Sequence, residues 1–149
     1  MAKKTFKGRP VLSGDITGTA TVSRQAFNTS GSYLENMFAG RTDAAPCTDA
    51  SNKELFRKDL SGAILCTSTT VGSTMGGMAL MGMKTIGVGP EALLFSKPID
   101  TLAAAGVLMA EIWKDLRIVT VDMLGEEFLE TVQTGDPIAI YADGTVEIG

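Results

Sequence analysis

Ser61-Gly62-Ala63-Ile64-Leu65-Cys66-Thr67 runs almost directly into Thr69-Thr70-Val71-Gly72-Ser73-Thr74-Met75-Gly76-Gly77-Met78, and this junction decides the fold. The first run is short, apolar and bounded by turn residues, which predicts a buried strand. The second is a loop of glycine and hydroxyl residues, and Gly77 to Met83 reads as a short helix. A strand that ends in such a loop and opens a helix predicts α/β architecture. It also makes a small polar pocket. The first N–H groups of a helix lack intrahelical partners and favour an anion. Gly72, Ser73 and Thr74 stand at that place, with one hydroxyl on Ser73 and another on Thr74.

The flanking sequence supplies the rest of the domain. Phe6 to Leu12 reads as a first strand interrupted at Gly8-Arg9-Pro10, Ser13-Gly14-Asp15 as a turn, and Gly18 to Arg24 as a β-branched second strand. Residues 25–59 are rich in Asn, Ser, Thr, Asp and Gly, with weak periodicity. A long irregular segment of this kind, an insertion over about 28–59, is expected to be functional or covered by a partner. Within it Ser51 and Glu54 have capping-box spacing, which predicts a short helix over 52–58. Ala92 to Phe95 reads as a strand. Ile99, Leu102, Ala103, Gly106, Val107 and Ala110 recur at helical spacing, so a helix is predicted over 98–112 with Ser96 near its cap. A strand over 117–121, a helix over 126–132 and a hairpin turning at Asp143-Gly144 complete the chain. The expectation is a single mixed α/β domain over residues 1–149, with about seven short strands and two or three helices.

Composition narrows the chemistry. Hydrophobic residues make up 44% and charged residues 20%, with a net charge of −4. No basic stripe is present, so a nucleic-acid surface is not expected. Lys3, Lys4, Lys7 and Arg9 cluster near one end and read either as an arm for an acidic partner or as a solvated terminus. The N-terminus has no apolar core of a signal peptide, and the longest apolar segments fall far short of the ~20 residues of a membrane span. A cytoplasmic protein is expected. Histidine is absent, which removes Ser-His-Asp and Cys-His catalysis and the commonest metal ligand. Proton transfer must use a carboxylate, hydroxyl, lysine, cysteine, water or a group on another chain.

The individual motifs carry less. The glycine loop lacks the Lys-Ser/Thr ending of a P-loop and the three spaced glycines of a dinucleotide fingerprint. Cys66 lies in an apolar strand and reads as core. Cys47, in Pro46-Cys47-Thr48-Asp49, reads as a thiol on a polar loop that could touch a metal or substrate, although no CxxC partner accompanies it. Asp122, at a strand end, could hold a base or cap the next turn. Lys97 and Arg117, at element ends, could each bind a substrate carboxylate or remain solvated.

The order of these elements resembles the small, swivel-domain subunit of the aconitase X family. The residues that carry the resemblance are Gly62-Ala63-Ile64-Leu65, Gly72-Ser73-Thr74, Pro98-Ile99, Gly106, Val119-Thr120-Val121-Asp122 and Gly135-Asp136. The resemblance implies a swivelling β/β/α fold and a large catalytic subunit that supplies the ligands of an iron or iron–sulfur group. It implies a hydro-lyase acting on a small hydroxy acid, mevalonate 5-phosphate in one branch of the family and cis-3-hydroxy-L-proline in another. It also implies that Ser73 matches the serine assigned as catalytic base, with Gly72 and Thr74 beside the substrate. A helix N-terminus would stabilise a serine alkoxide, though the same N–H groups could instead hold a substrate carboxylate. The alternative is a non-catalytic ligand- or protein-binding module on the same fold.

Overall fold

The computed structural model describes residues 2–149. Among the described residues, ten strands and four α-helices follow one another. They are β1 (Lys4–Lys7), β2 (Arg9–Leu12), β3 (Ile16–Val22), β4 (Phe27–Asn28), α1 (Leu34–Phe38), β5 (Ile64–Thr67), β6 (Thr70–Val71), α2 (Gly76–Thr85), β7 (Ala92–Phe95), α3 (Thr101–Lys114), β8 (Val119–Asp122), α4 (Glu126–Thr131), β9 (Pro137–Ile140) and β10 (Thr145–Ile148).

Eight strands form one mixed sheet in the order β1-β10-β9-β3-β5-β7-β8-β2. Its two edges, β1 and β2, are consecutive in the chain, so the sheet curls almost into a barrel. β1 pairs with β10, and after Gly8 the same extended segment pairs with β8. β3 makes the same change of side: Ile16 to Thr19 run antiparallel to β9, and Ala20 to Val22 run parallel to β5. One half is therefore an antiparallel sheet and the other a parallel β3-β5-β7-β8 sheet. The swivelling β/β/α architecture expected from the sequence is present.

β5, β7 and β8 are buried on both faces, as crossover connections require. Alternate residues then feed separate cores. Ile64, Cys66, Ala92, Leu94, Val119 and Val121 point into the barrel with Phe128, Ile138 and Ile140. Leu65, Leu93 and Phe95 point the other way, against Leu80, Ala103 and Val107 of α2 and α3. The two helices meet backbone to backbone: a Cβ on Gly106 would lie 2.5 Å from the Gly77 carbonyl oxygen.

The segment expected as an irregular insertion lies over this helix-side core. Tyr33, Ala45, Cys47, Leu55 and Leu60 are all buried in it, and Tyr33 packs edge-on against Phe27 at 5.9 Å between ring centroids. The helix expected over 52–58 is a run of turns instead. Asn52 is buried and donates to Ser23 Oγ at 2.9 Å while its Oδ1 accepts from the Leu55 N–H, and Arg57 takes a left-handed φ of 69°. A helical turn would break those contacts. The helix of this segment is α1, whose five residues leave too little periodicity to read. Helix α3 is capped by Asp100, not Ser96: its Oδ1 accepts from the N–H groups of Leu102 at 2.8 Å and Ala103 at 3.2 Å. The strand count exceeds the expected number because the first strand divides at Gly8 and because β4 and β6 have two residues each.

Candidate functional site

The two shortest strands build the site. β4 pairs in parallel with β6, in the register Phe27 with Thr70 and Asn28 with Val71. The pairing continues through the Thr29 N–H to the Val71 carbonyl at 3.2 Å. It lays Asn28-Thr29-Ser30 beside Val71-Gly72-Ser73. The chain then leaves β6 through Gly72, whose φ of +119° suits glycine. A Cβ at Gly72 would also come within 2.5 Å of Asn28 Oδ1. Both backbone and space therefore call for glycine at this position.

Ser73 sits just before α2. Its Oγ accepts from the Met75 N–H at 3.1 Å, and its carbonyl accepts from the Gly76 N–H at 3.0 Å. Its hydroxyl donates to Ser30 Oγ at 3.3 Å. Ser30 in turn lies 3.5 Å from Asn28 Oδ1, which accepts the Gly31 N–H at 2.8 Å. A backbone donor is thus already aimed at the atom that would carry negative charge on a serine alkoxide. A cleft of about 320 Å³ opens here, lined by Thr29, Thr70, Gly72, Ser73 and Asp100, with Val71 and Leu102 at its rim. Thr70 is buried in its wall, and its Oγ1 has no partner among the described residues.

All five residues from Val71 to Met75 are exposed. A serine hydroxyl facing bulk water is a very weak base. Raising its basicity towards a substrate carbon requires that water be excluded from the loop, and this chain alone does not do so.

Gly72, Ser73 and Thr74 lie on one exposed loop, and the other candidates lie apart from it. Cys47 is not on a polar loop. Its strand-like segment hydrogen-bonds to Arg57 and Lys58, and the side chain is fully buried in the helix-side core. Cys66 is buried in the barrel, where desolvation pushes its thiol well above the ordinary range. Both cysteines are free. Among the described residues no cluster of three or more His, Cys, Asp or Glu side chains could hold a metal ion. The donor set of the described residues therefore does not fit an iron or iron–sulfur group.

Asp122 neither caps a turn nor faces the cleft. Its buried carboxylate pairs with Arg9 at 2.6 Å and accepts from the Ile99 N–H at 2.8 Å. Arg117 is paired with Glu111 at 2.6 Å. Lys97 lines a different depression, with Arg24, Ser68 and Glu126. In the basic cluster near the start of the chain, Lys3 pairs with Glu147, Lys7 with Asp143 and Arg9 with Asp122.

Asn28, Thr29 and Ser30 were missed by sequence reasoning. The one signal was the polar run Asn28-Thr29-Ser30 directly after an apolar Phe27, more than 40 residues before the glycine loop it joins.

A sequence model of the aconitase X swivel domain matches residues 5–148. The chain belongs to the aconitase X swivel-domain family. Within this family the chain is 31% identical over 144 residues to the phosphomevalonate dehydratase small subunit of Archaeoglobus fulgidus, covering 96% of this chain and 97% of the relative. It is 26% identical over 144 residues to the phosphomevalonate dehydratase small subunit of Aeropyrum pernix, covering 96% and 92%. The fold of the swivel domain also matches a crystal structure of Thermococcus kodakaraensis aconitase X in its holo form. There the TM-score is 0.80 at 24% identity, over 98% of each chain. A UPF0107 protein solved by NMR matches with a TM-score of 0.76 at 27% identity, over 98% of this chain and 99% of the other. Among the described residues no helix is long and apolar enough to cross a membrane.

Proposed function

We propose that this chain is the small subunit of a phosphomevalonate dehydratase, a hydro-lyase whose active site is completed by a large subunit. The support is the end-to-end similarity to two small subunits of that name, together with the Met75 N–H aimed at the oxygen of an exposed serine. Ser73 Oγ, as alkoxide, takes the proton from the carbon next to the substrate carboxylate. Ser73 first passes its own proton to solvent by way of Ser30; the Met75 N–H then holds the negative charge on that oxygen before the transfer, and the Ser30 hydroxyl turns to donate to it. Gly72 lets the substrate approach the loop, and Thr74 adds a second hydroxyl beside it. The C–H electron pair becomes the double bond between the two carbons, and the hydroxyl leaves the neighbouring carbon with the C–O pair as hydroxide, for which the group held by the large subunit would serve as Lewis acid. An iron or iron–sulfur group, where present, is held by the large subunit. The cytoplasm is the compartment that goes with this reading.

Co-purification with the large subunit of the same genome, under anaerobic conditions, tests it. The complex should dehydrate mevalonate 5-phosphate, with cis-3-hydroxy-L-proline as the comparison substrate. Ser73→Ala should lower kcat by ~100-fold or more and leave KM within a few-fold, because a base acts in the transition state. Full turnover by Ser73→Ala would remove the base assignment. Turnover of hydroxyproline alone would reassign the substrate. A stable complex without dehydratase activity on either compound would favour a binding module.

A further inference from the structure

The helix pair α2–α3 turns one side to solvent, and that side is apolar. On α3 the inward positions are Ala103, Gly106, Val107 and Ala110. The opposite face carries Leu108 and Ile112, with Leu102 and Trp113 along the flank nearer α2. Met75, just before α2, and Met78 on its first turn carry the same side onto α2. A surface helix in water carries polar residues on this side, and one that is apolar all round is covered by something. Ile112 is 72% exposed, Trp113 70% and Met78 59%. Because Gly77 and Gly106 bring the two backbones into contact, the residues on both helices belong to one face.

The extent of this face says what kind of contact it serves. With ~200 Å² for a fully exposed large apolar side chain, Met75, Met78, Leu102, Leu108, Ile112 and Trp113 together present roughly 650 Å². That approaches the ~800 Å² each partner contributes to a standard stable interface, and it exceeds a typical monomer's chance patches. Methionine, leucine and tryptophan are also the residues favoured where a surface is buried against another protein.

Its position says which partner. The face begins at the rim of the Ser73 cleft, where Leu102 lines the opening and Met75 follows the loop. It then runs along α3 for the ten residues to Ile112, ~15 Å away. Whatever covers the face also reaches the mouth of the cleft. A second copy of this chain docked face to face would close that mouth with an identical surface and keep out the chain that completes it. We propose that the outer face of α2 and α3, as far as Ile112 and Trp113, is the docking surface for the large subunit. This rests on the functional reading above and adds the surface to it. The same contact that anchors the subunit dries the Ser73 loop.

Ile112→Glu and Trp113→Glu, made singly, test this far from the cleft. Each variant should weaken the complex with the large subunit about tenfold or more, while the isolated chain keeps its circular dichroism and Tm. In the wild-type complex, amides of α3 should gain hydrogen-exchange protection along its whole length, which reads the contact without any substitution. If the wild-type complex forms and turns over while both variants bind with unchanged affinity, the docking surface is wrong and the subunit reading stands. If the wild-type chain forms no complex with the large subunit, the subunit reading fails and the surface assignment with it. If the isolated chain is a dimer that either substitution splits, with no effect on large-subunit affinity, the face belongs to a second copy and the proposal is overturned.

Discussion

Asp122 is fully buried and still uses both carboxylate oxygens. Oδ1 accepts from Arg9 Nε at 2.9 Å, and Oδ2 accepts from Arg9 Nη2 at 2.6 Å and from the Ile99 N–H at 2.8 Å. This bidentate pair joins β2 to β8 and fixes the segment that leads to Asp100 and the cleft. Asp122→Ala leaves the Ile99 N–H without its buried acceptor and releases the half-exposed Arg9 guanidinium to solvent. It should cost about 2 kcal/mol, lowering Tm by roughly 4–8 °C in a thermal melt. Asp122→Asn, which keeps an acceptor for Ile99, should lose less. Ser73 was legible because glycine and hydroxyl residues crowd next to it in the chain. The Arg9–Asp122 pair was not, because its members are 113 residues apart. Ser30 was hidden for the same reason: only a pairing of two-residue strands brings it to Ser73.

At the scale of the element, close approach of α2 and α3 sets where the Ser73 loop stands. A Cβ on Gly77 would come within 2.6 Å of the Leu102 carbonyl oxygen. The obstacle is backbone, which cannot turn aside as a side chain can. Gly106→Ala should therefore destabilise the protein by about 2 kcal/mol, or roughly 4–8 °C in Tm. It should also lower turnover of the complex, because pushing α2 outward moves the N-terminus that holds the serine. Gly82→Ala, at a position with open space around it, is the control and should be neutral or slightly stabilising. The small residues of these helices were visible in the sequence as a run that permits close packing, and helix α3 was visible from its periodicity. Its start was misplaced because Pro98-Ile99 reads as a first turn, whereas Asp100 has the extended backbone of a cap. The turns over 52–58 escaped because a capping-box spacing says nothing about Asn52, whose side chain is spent on Ser23.

The whole molecule has two cores on either side of one parallel sheet, and each holds one cysteine. Cys47 lies in the helix-side core and Cys66 in the barrel core. Neighbours on β5, Leu65 and Cys66, point into different cores, so neither core can open while that strand stays paired. Both thiols should resist a thiol reagent in the native protein. In single-cysteine variants they should become reactive at the same denaturant midpoint, and two separate midpoints would show that the cores unfold independently. The sequence revealed the layers through its buried strands but not the closure of the sheet, because pairing partners for residues 4–12 come from the other end of the chain. That closure has a kinetic consequence. β1 and β2 are synthesised long before β8 and β10, and their edges stay exposed until those strands have been made. Such distant pairing slows folding and lengthens the time in which an open edge can meet another chain. Gly8, where the strand changes partners, is the point at which the finished barrel latches.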